Sequence, residues 1–394
     1  MRLADKYQHQ EISGMTRMFQ SVERMIKDGN APLNLSIGEP DFITEPDIAD
    51  AACAAAKQGF THYPPLAGFK DLREAVCAYW ARHHNFKADP DEVFITNGGL
   101  HAPILLFEAL LNPGDEILIF EPYFSPYLSQ ILYSKAVPVV IKTQESNNFA
   151  PTIEDLERAV TPKTRGILLN LPCNPTGKIL NLKQLEEIAN FAERHDLFVI
   201  SDEIYESLIF NNKTHICFAN LNNMKERTIL IGGLSKSHCM TGWRLGYVIC
   251  DKNLVNTLCV VSVFHTYGVN TLSQKAAAYA LNTQDEKVKQ RSKIFADRMN
   301  KVAARLNSMK GVTCGEAEGA FYLFPSIKAT GLTSEEFSWK LLSEAGVAVV
   351  PGSAFGESGE GYIRIACTQS LDILLNAMDR MQEFTNKLSG AQPL

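Results

Sequence analysis

The sequence has only a small excess of negative charge, with a formal net charge of -6, and no long apolar run. Among its 394 residues, 38 are Lys or Arg and 44 are Asp or Glu, and like charges do not cluster into blocks. Nucleic acids and anionic membranes are recognised by clustered basic residues, so the composition predicts neither partner. No apolar run reaches the roughly 18 residues of a membrane-spanning helix, and the N-terminal stretch lacks the apolar core of a signal peptide. We therefore expect a cytoplasmic protein.

The sequence also lacks the cysteine pattern of a disulfide-stapled or zinc-binding protein. Its nine cysteines include no CxxC pair, and their number is odd. We interpret them as reduced, mostly buried thiols, with no metal site. With 45% hydrophobic residues and no internal repeats, the chain is long enough for two domains with cores of their own.

Short apolar runs alternate with longer helical patterns from about residue 90 to residue 250. One of the connecting segments, NLKQLEEIANFAERH, has a helical period, and several of the apolar runs are apolar throughout. The runs that we interpret as strands are DEVFITNGG, DEILIFEPYF, AVPVVIKT, RGILLNLP, LFVISDE, RTILIGG and RLGYVIC. Strands buried on both faces and alternating with helices indicate an α/β fold with a mainly parallel, seven-stranded sheet. Ligands of such sheets bind beyond the carboxyl ends of the strands.

The pattern changes after Val269. Long helical stretches come first, and a β-rich tail containing GAFYLF, GVAVVPG and GYIRIAC follows them. We predict a large domain over residues 46–275 and a smaller α/β domain formed by residues 1–45 and 276–394. The N-terminal part of the smaller domain is too short to fold alone and is expected to pack against the C-terminal part.

Two glycine-containing turns follow predicted strands. The turn Asn97-Gly98-Gly99 precedes an apolar helix that begins near Leu100, and the N-terminus of a helix can bind a phosphate. The turn NPTG, which begins at Asn174, follows the strand RGILLN and leaves Asn174 available as a hydrogen-bond donor. Either turn could instead be purely structural, because glycine also serves wherever the backbone turns sharply.

Charged groups stand at the ends of two other strands. Asp202 ends LFVISD, with Tyr205 three residues later, and this acid either caps a helix or meets a cation. Lys236 and Arg244 lie in LSKSHCMTGWRLGY, where the lysine is either a nucleophilic amine or part of a structural salt bridge. Together, a phosphate anchor, an acid, hydrogen-bond donors and an amine are what pyridoxal phosphate (PLP) requires.

The order of the motifs makes the chain resemble a class I/II aminotransferase of PLP-dependent fold type I, in the branch of bacterial aspartate and kynurenine aminotransferases. The matching motifs are LSIGEPDF, HYPPLAGFKDLREAV, NGGLHA, EPYFSPY, NPTG, SDEIYE, SKSHCMTGWRLGY, GAFYLF and YIRIA. The resemblance implies a ping-pong transaminase that moves an amino group from an L-amino acid to a 2-oxo acid such as 2-oxoglutarate. Aspartate is the favoured donor, with aromatic amino acids and alanine as alternatives.

The resemblance also implies roles for residues around the cofactor ring. Lys236 would bond to the aldehyde of PLP and move the proton at the substrate α-carbon. Asp202 would pair with the ring nitrogen and keep it protonated, so that the ring can accept negative charge. Asn174 and Tyr205 would hold the phenolic oxygen. Phe124 would stack on the ring, with Tyr123 as the alternative.

Further roles concern the phosphate and the substrate. The backbone of Gly99 and Leu100 would bind the phosphate together with Arg244. Arg364 would bind the substrate α-carboxylate, for which a guanidinium is suited, and Gly38 would lie beside that carboxylate. The resemblance extends to a homodimer with shared active sites, because Tyr63 is similar to a tyrosine that reaches the phosphate of the neighbouring subunit.

The sequence departs from the family pattern in the lysine motif. Gly233 stands where many members of the family have a serine. His238 stands where an aromatic residue is usual, and Cys239 stands where a small residue is usual. These two residues either tune the pocket or repack behind the lysine, and repacking is favoured. Two alternative functions stay open at this point. One is a PLP-dependent C–S β-lyase of the same fold, and the other is a catalytically silent ligand sensor.

Overall fold

The computed structural model describes residues 14–390 and, within them, the side chains of residues 14–388. The chain forms two compact units. The larger unit contains residues 39–297 and 317–320, and the smaller unit contains the described residues of 1–38, 298–316 and 321–394. All nine cysteines are free thiols; four are buried and Cys53 is exposed.

The larger unit is built on a seven-stranded sheet that confirms the predicted strands. The strands are β2 (Val93–Thr96), β3 (Glu116–Glu121), β4 (Val137–Lys142), β5 (Thr164–Asn170), β6 (Phe198–Asp202), β7 (Thr228–Gly233) and β8 (Gly246–Ile249). Their order across the sheet is β2-β8-β7-β6-β5-β3-β4. Strand β8 is antiparallel to both of its neighbours, whereas the other pairings are parallel. The sheet is therefore mainly parallel, as predicted.

Helices cover both faces of this sheet. They are α2 (Pro46–Lys57), α3 (Lys70–His84), α4 (Ala102–Leu110), α5 (Pro126–Tyr133), α6 (Ile153–Ala159), α7 (Leu182–Arg194), α8 (Lys252–His265) and α9 (Thr271–Thr283). The next helix, α10 (Asp285–Asn307), begins in the larger unit and ends in the smaller one. Side chains of β7 alternate between the two faces, since Leu230 packs with Trp80 of α3 while Ile229 and Ile231 pack with α4 and α8. Strands buried in this way on both faces read as continuous apolar runs.

The segment 317–320 reaches the larger unit from a distant part of the chain. The N–H of Gly319 donates to the carbonyl of Gly177 at 2.9 Å, and that of Ala320 donates to Leu208 at 2.9 Å. The buried carboxylate of Glu318 accepts from Lys178 Nζ at 3.1 Å and from the N–H of Ile179 at 3.1 Å. This segment thus completes the surroundings of the NPTG turn.

The smaller unit contains short strands between helices. Strands β9 (Tyr322–Leu323), β11 (Val350–Pro351) and β12 (Ile363–Ala366) form an antiparallel sheet in the order β11-β12-β9, while β1 (Leu33–Asn34) pairs with β10 (Val347–Ala348). Its other helices are α1 (Gly14–Lys27), α11 (Ser334–Ala345) and α12 (Leu371–Gly390). The predicted β-rich tail is confirmed. Among the helices of residues 14–390, none combines the length and the apolarity that crossing a bilayer requires.

Candidate active site

Most of the residues that were singled out in the larger unit lie at one edge of its sheet. Asp202 ends β6, and it is registered with Asn170 at the end of β5 on one side and with Ile231 of β7 on the other. Lys236 comes three residues after the last residue of β7. Their strands are adjacent and parallel, so their carboxyl ends meet at the same edge, where α/β proteins bind ligands.

Asp202 is a buried carboxylate with a defined partner. Tyr127 Oη donates a hydrogen bond of 2.6 Å to its Oδ2, and the N–H of Ile204 donates one of 3.2 Å to its Oδ1. Burial raises the pKa of Asp202 from 3.8 to about 6; the hydrogen bonds from Tyr127 and Ile204 lower it, Glu203 raises it, and the charge of Lys236 lowers it. Lys236 therefore lies within electrostatic reach of this acid.

The raised pKa has a consequence for the cofactor-free chain. An acid whose folded pKa exceeds its unfolded value stabilises the fold at low pH, and that stability is lost as the pH rises from about 4 to about 6. One pKa unit corresponds to about 1.4 kcal/mol, so the ionised acid costs about 3 kcal/mol above that range. A cation that binds next to Asp202 would remove this cost.

Tyr127 was not predicted from the sequence. It lies in the first turn of α5, fully buried, and its phenol has a pKa well above 10, because of burial first and of Asp202 second. The phenol is therefore a neutral donor that favours the ionised form of Asp202. Its place in EPYFSPY resembles that of a core aromatic residue, and the sequence carries no signal for its polar partner.

Asn174 and Tyr205 lie beside the same edge. The N–H of Asn174 donates to Asn170 Oδ1 at 2.7 Å, and Asn170 Nδ2 donates to the carbonyl of Asp202 at 3.1 Å. Tyr205 is buried, and its proximity to Tyr127 contributes to the raised pKa of that phenol. Both residues are thus tied to the surroundings of Asp202.

The glycine turn after β2 lies against Arg244. Gly98 has φ of +79°, and a Cβ built on it would lie 2.6 Å from Arg244 Nη2. Arg244 is itself left-handed with φ of +51°, and its Nη1 donates to the carbonyl of Thr241 at 2.8 Å. A short 3-10 turn from Gly99 then leads into α4. A guanidinium beside the first N–H groups of a helix is an anion-binding arrangement.

Phe124 packs edge-on against Tyr127, with ring centroids 5.4 Å apart. Tyr123 lines a cavity together with Pro122, Phe149 and other residues, and Tyr127 also borders this cavity. Both aromatic residues therefore lie close to Tyr127, the partner of the acid.

The departures in the lysine motif have packing explanations. A Cβ on Gly233 would lie 2.8 Å from Ile204 Cδ1 and 3.3 Å from Gly246 Cα, so a larger residue would displace its neighbours. His238 is buried, its Nδ1 lies 2.8 Å from Ser237 Oγ, and its ring lies 6.3 Å from that of Tyr79 in α3. Burial, and then Arg291, lower its pKa to about 4. These contacts favour repacking by a neutral imidazole.

Cys239 also has a structural place, with a left-handed φ of +56°. Its carbonyl accepts a hydrogen bond of 2.7 Å from Thr44 Oγ1. Burial raises the pKa of its thiol to about 11. The thiol is therefore a poor nucleophile near neutral pH.

The remaining predicted residues lie elsewhere. Gly38 and Arg364 belong to the smaller unit, where Arg364 is 2% exposed, donates from Nη2 to the carbonyl of Ser36 at 2.6 Å and lies over the ring of Tyr322 at 4.6 Å. A Cβ on Gly38 would overlap Tyr322 as well. Tyr63 is 82% exposed and contacts the ring of Tyr267 at 5.0 Å, on the surface of the larger unit.

The chain matches the family model of class I and II aminotransferases over residues 30–380. It is 43% identical to an aspartate aminotransferase of Pyrococcus abyssi, over 89% of this chain and 91% of that protein. It is 39% identical to aromatic-amino-acid aminotransferase 2 of Thermococcus litoralis, over 97% of this chain and 98% of that protein. The aspartate aminotransferase of Thermus thermophilus with maleate superimposes with a TM-score of 0.92 at 32% identity, covering 97% of this chain and 100% of that one. These relatives give no support to the β-lyase alternative.

The residues of the larger unit fit PLP, the cofactor of this family. The space over Gly98 that a side chain would need is taken by the guanidinium of Arg244, which suits a phosphate at this turn. Asp202 is buried with a raised pKa, so a protonated ring nitrogen would supply the cation that it needs. The fold is that of PLP-dependent fold type I. The chain therefore belongs to the class I and II aminotransferases, enzymes that use PLP to transfer amino groups between amino acids and 2-oxo acids.

Proposed function

We propose that this aminotransferase takes L-aspartate as amino donor and 2-oxoglutarate as acceptor, with Lys236 and Asp202 as its principal catalytic residues. The observation that carries the assignment of the site is the buried carboxylate of Asp202, hydrogen-bonded by Tyr127 and within electrostatic reach of Lys236. When bound, PLP supplies an aldehyde that takes up the amino group and a ring that delocalises negative charge from the substrate α-carbon.

Lys236 would hold the cofactor aldehyde and would carry the proton at the substrate α-carbon. Its position just beyond β7, beside the end of β6, suits both tasks, because ligands bind at this edge of the sheet. A positioned amine that moves a proton contributes roughly 10²- to 10⁴-fold to a rate.

Asp202 would keep the ring nitrogen of PLP protonated, and Asn174 and Tyr205 would donate hydrogen bonds to its phenolic oxygen. The bonds from Tyr127 and Ile204 support the ionised form of Asp202 that this role needs. Phe124, which packs against Tyr127, would stack on the ring.

The phosphate would be held at the start of α4. The N–H groups of Gly99 and Leu100 and the guanidinium of Arg244 would bind it together, because the positive end of a helix and a fixed cation both favour an anion. Arg364 binds the substrate α-carboxylate, with Gly38 beside it. Arg364 packs against the rings of Tyr322 and Phe355, which hold the guanidinium in place.

The choice of aspartate rests on the relatives. The protein of Pyrococcus abyssi is named for aspartate, and the Thermus thermophilus structure was solved with maleate, a four-carbon dicarboxylate. The relative from Thermococcus litoralis is named for aromatic amino acids, which makes these the first alternative donors. Rates measured with a panel of amino donors against 2-oxoglutarate and pyruvate would decide between them.

We further propose a cytoplasmic homodimer with shared active sites. Apolar side chains are exposed on α8 and near Tyr63, among them Phe264 at 83% and Val260 at 62%. Exposed aromatic and aliphatic residues that form a patch are typical of protein interfaces. A second copy of the chain would cover them, and Tyr63 would reach the phosphate of the neighbouring subunit.

Replacing Lys236 by Ala tests the assignment. We expect the rate of transamination to fall by roughly 10²-fold or more, and the absorption band of the covalently bound cofactor to disappear. The control is Lys225→Ala, which removes a surface lysine that pairs with Glu92 at 3.3 Å. A Lys236→Ala protein that transaminates at the wild-type rate and keeps the band would refute the proposal.

A further inference from the structure

The segment that carries Asp202 and Tyr205 has a second pair of polar residues. Glu203 and Glu206 alternate with them along SDEIYE, and the carboxylates are buried, with the two residues 0% and 6% exposed. A buried carboxylate is costly unless it is hydrogen-bonded or paired with a cation. Neither glutamate has been given a role in the transamination described above.

Glu206 is held by two residues of α3. Tyr79 Oη donates to its Oε1 at 2.8 Å, and His84 Nε2 lies 3.0 Å from its Oε2. Both oxygens of the carboxylate are thus engaged from the same helix. The N–H of Glu206 also donates to the carbonyl of Glu203 at 3.0 Å, which closes the turn that contains Tyr205.

Glu203 has partners of its own in the sheet and the following loop. Its Oε1 accepts from Ser201 Oγ at 2.7 Å and from the N–H of Phe218 at 3.1 Å, and its Oε2 lies 2.5 Å from His215 Nε2. The rings of His84 and His215 are 5.2 Å apart. We refer to His84, Glu203, Glu206 and His215 as the Glu–His cluster.

The Glu206 carboxylate and the His84 imidazole each favour the charged form of the other. Burial alone would lower the pKa of His84, but its hydrogen bond to Glu206 and the charges of Glu206 and Glu203 raise the pKa above its usual value. Burial would raise the pKa of Glu206, but His84, His215 and Tyr79 hold it below its usual value. The phenol of Tyr79 has a pKa well above 10 because of burial and Glu206, so it remains a donor.

Tyr79 also joins this cluster to the lysine turn. Its ring lies 6.3 Å from that of His238, two residues after Lys236, and His238 is held by Ser237 Oγ at 2.8 Å. Helix α3 therefore contacts the acid segment through Glu206 and the lysine turn through His238. Helix α3 thus supports both the segment that carries Asp202 and the turn that carries Lys236.

We propose that Glu206 is a positioning residue for the transamination, which acts through its bonds to Tyr79 and His84 to fix Asp202 and Tyr205 relative to Lys236. The proposal rests on the roles assigned to Asp202 and Tyr205 under the proposed function. A change in these bonds would rotate the 203–206 turn, and small misplacements of reacting groups reduce rates strongly.

The variant Glu206→Gln keeps the shape of the side chain and removes its charge. We expect kcat to fall by roughly 10-fold or more, with the KM for the amino donor nearly unchanged because Arg364, in the smaller unit, binds the donor. We also expect a shift in the pH at which the absorption of enzyme-bound PLP changes, which loss of stability alone would not produce.

Glu157→Gln is the matched control. Glu157 Oε2 lies 3.0 Å from His195 Nε2, the same distance as in the Glu206 pair, but on the exposed surface between α6 and α7. Its kcat and its PLP absorption profile should equal those of the wild type. A Glu206→Gln enzyme that matches this control in kcat and in the absorption profile, even with a lower melting temperature, would overturn the proposal.

Tyr79→Phe covers the case in which Glu206→Gln does not fold. It removes one hydrogen bond from the same carboxylate without changing any charge. A reduced kcat with a shifted absorption profile supports the proposal, whereas wild-type values overturn it.

Asp202→Asn measured in parallel separates the proposed function from the positioning role of Glu206. If Asp202→Asn is as active as the wild type, the proposed function fails; if it is inactive while the Glu206 and Tyr79 variants match the wild type, only the positioning role fails.

Discussion

The hydrogen bond from Tyr127 to Asp202 shows how a single contact affects the charge of the proposed catalytic acid. At 2.6 Å and fully buried, it counteracts part of the effect of burial on the acid. Hydrogen bonds to charged groups are worth roughly 1.5–3 kcal/mol, which corresponds to about one to two pKa units. Without Tyr127, the proton would be held more tightly by Asp202.

We therefore predict that Tyr127→Phe moves the acidic limb of the kcat/KM pH profile upward by about one unit. The sign follows from the chemistry, because Asp202 acts in its ionised form and loss of the donor raises its pKa. Tyr279→Phe is the control, since Tyr279 Oη donates to Asp47 Oδ2 at 3.2 Å on the surface. Superimposable profiles for Tyr127→Phe and the wild type would contradict the prediction.

At this scale the sequence predicted residues by their position at strand ends, and it could not predict their partners. Asp202, Lys236 and Asn174 each follow an apolar run, which is a local signal. Tyr127 is 75 residues from Asp202 in the chain, and Tyr79 is 127 residues from Glu206. Such pairs depend on which strands and helices become neighbours, and one sequence does not carry that information.

At the scale of elements, the turn between β2 and α4 combines a backbone conformation that glycine permits with a guanidinium at the start of a helix, an arrangement suited to an anion. Gly98 has φ of +79° and ψ of 162°, a conformation that side chains disfavour by roughly 1–3 kcal/mol. The same glycine leaves room for the guanidinium of Arg244. The sequence left open whether this turn binds an anion or is purely structural. The structure makes these two interpretations compatible, because the same glycine permits the turn and leaves room for the guanidinium.

We predict that Gly98→Ala weakens PLP binding by roughly 10-fold or more, because the added Cβ displaces Arg244 from the phosphate. Binding of pyridoxal, which lacks the phosphate, should change much less, and titration of the cofactor-free protein followed by absorbance measures both. Gly114→Ala is the control for backbone strain, since Gly114 has φ of +89° and nothing within 4 Å of a built Cβ. Equal losses for PLP and pyridoxal would show that the phosphate is not involved.

Strands were predicted more completely than helices. The seven strands of the large sheet appear as apolar runs because both faces are buried, so the signal is local and continuous. Helix α5 was not predicted from the sequence because PYLSQILY is short and starts directly after the EPYF turn. Helix α8 was not predicted because it buries Val255 and Leu258 but exposes Val260 and Phe264, so its apolar residues do not follow one helical face.

At the scale of the whole molecule, the exposed side of α8 bears on assembly. Phe264 is 83% exposed and Val263 is 39% exposed, close in sequence to the exposed Tyr267. Large aromatic residues left in water at one surface favour association, because burying them removes apolar area from solvent.

The domain boundaries at residues 46 and 275 stay a prediction.

We predict that Phe264→Asp converts the proposed homodimer to a monomer and lowers activity, since Tyr63 would no longer reach the neighbouring site. Sedimentation velocity together with the transamination rate would measure both effects. Leu182→Asp, at an exposed leucine at the start of α7, controls for the added charge. A Phe264→Asp protein that remains dimeric would exclude this surface as the interface.

The segment 317–320 determines how the chain can be cut. A recombinant fragment that stops at residue 297 would contain every strand of the large sheet, yet it would lose the donors that Gly319 and Ala320 offer to Gly177 and Leu208. It would also deprive Lys178 of the carboxylate of Glu318. The larger unit therefore has no contiguous gene segment of its own, and a minimal version would need the distant tetrapeptide grafted back through a linker.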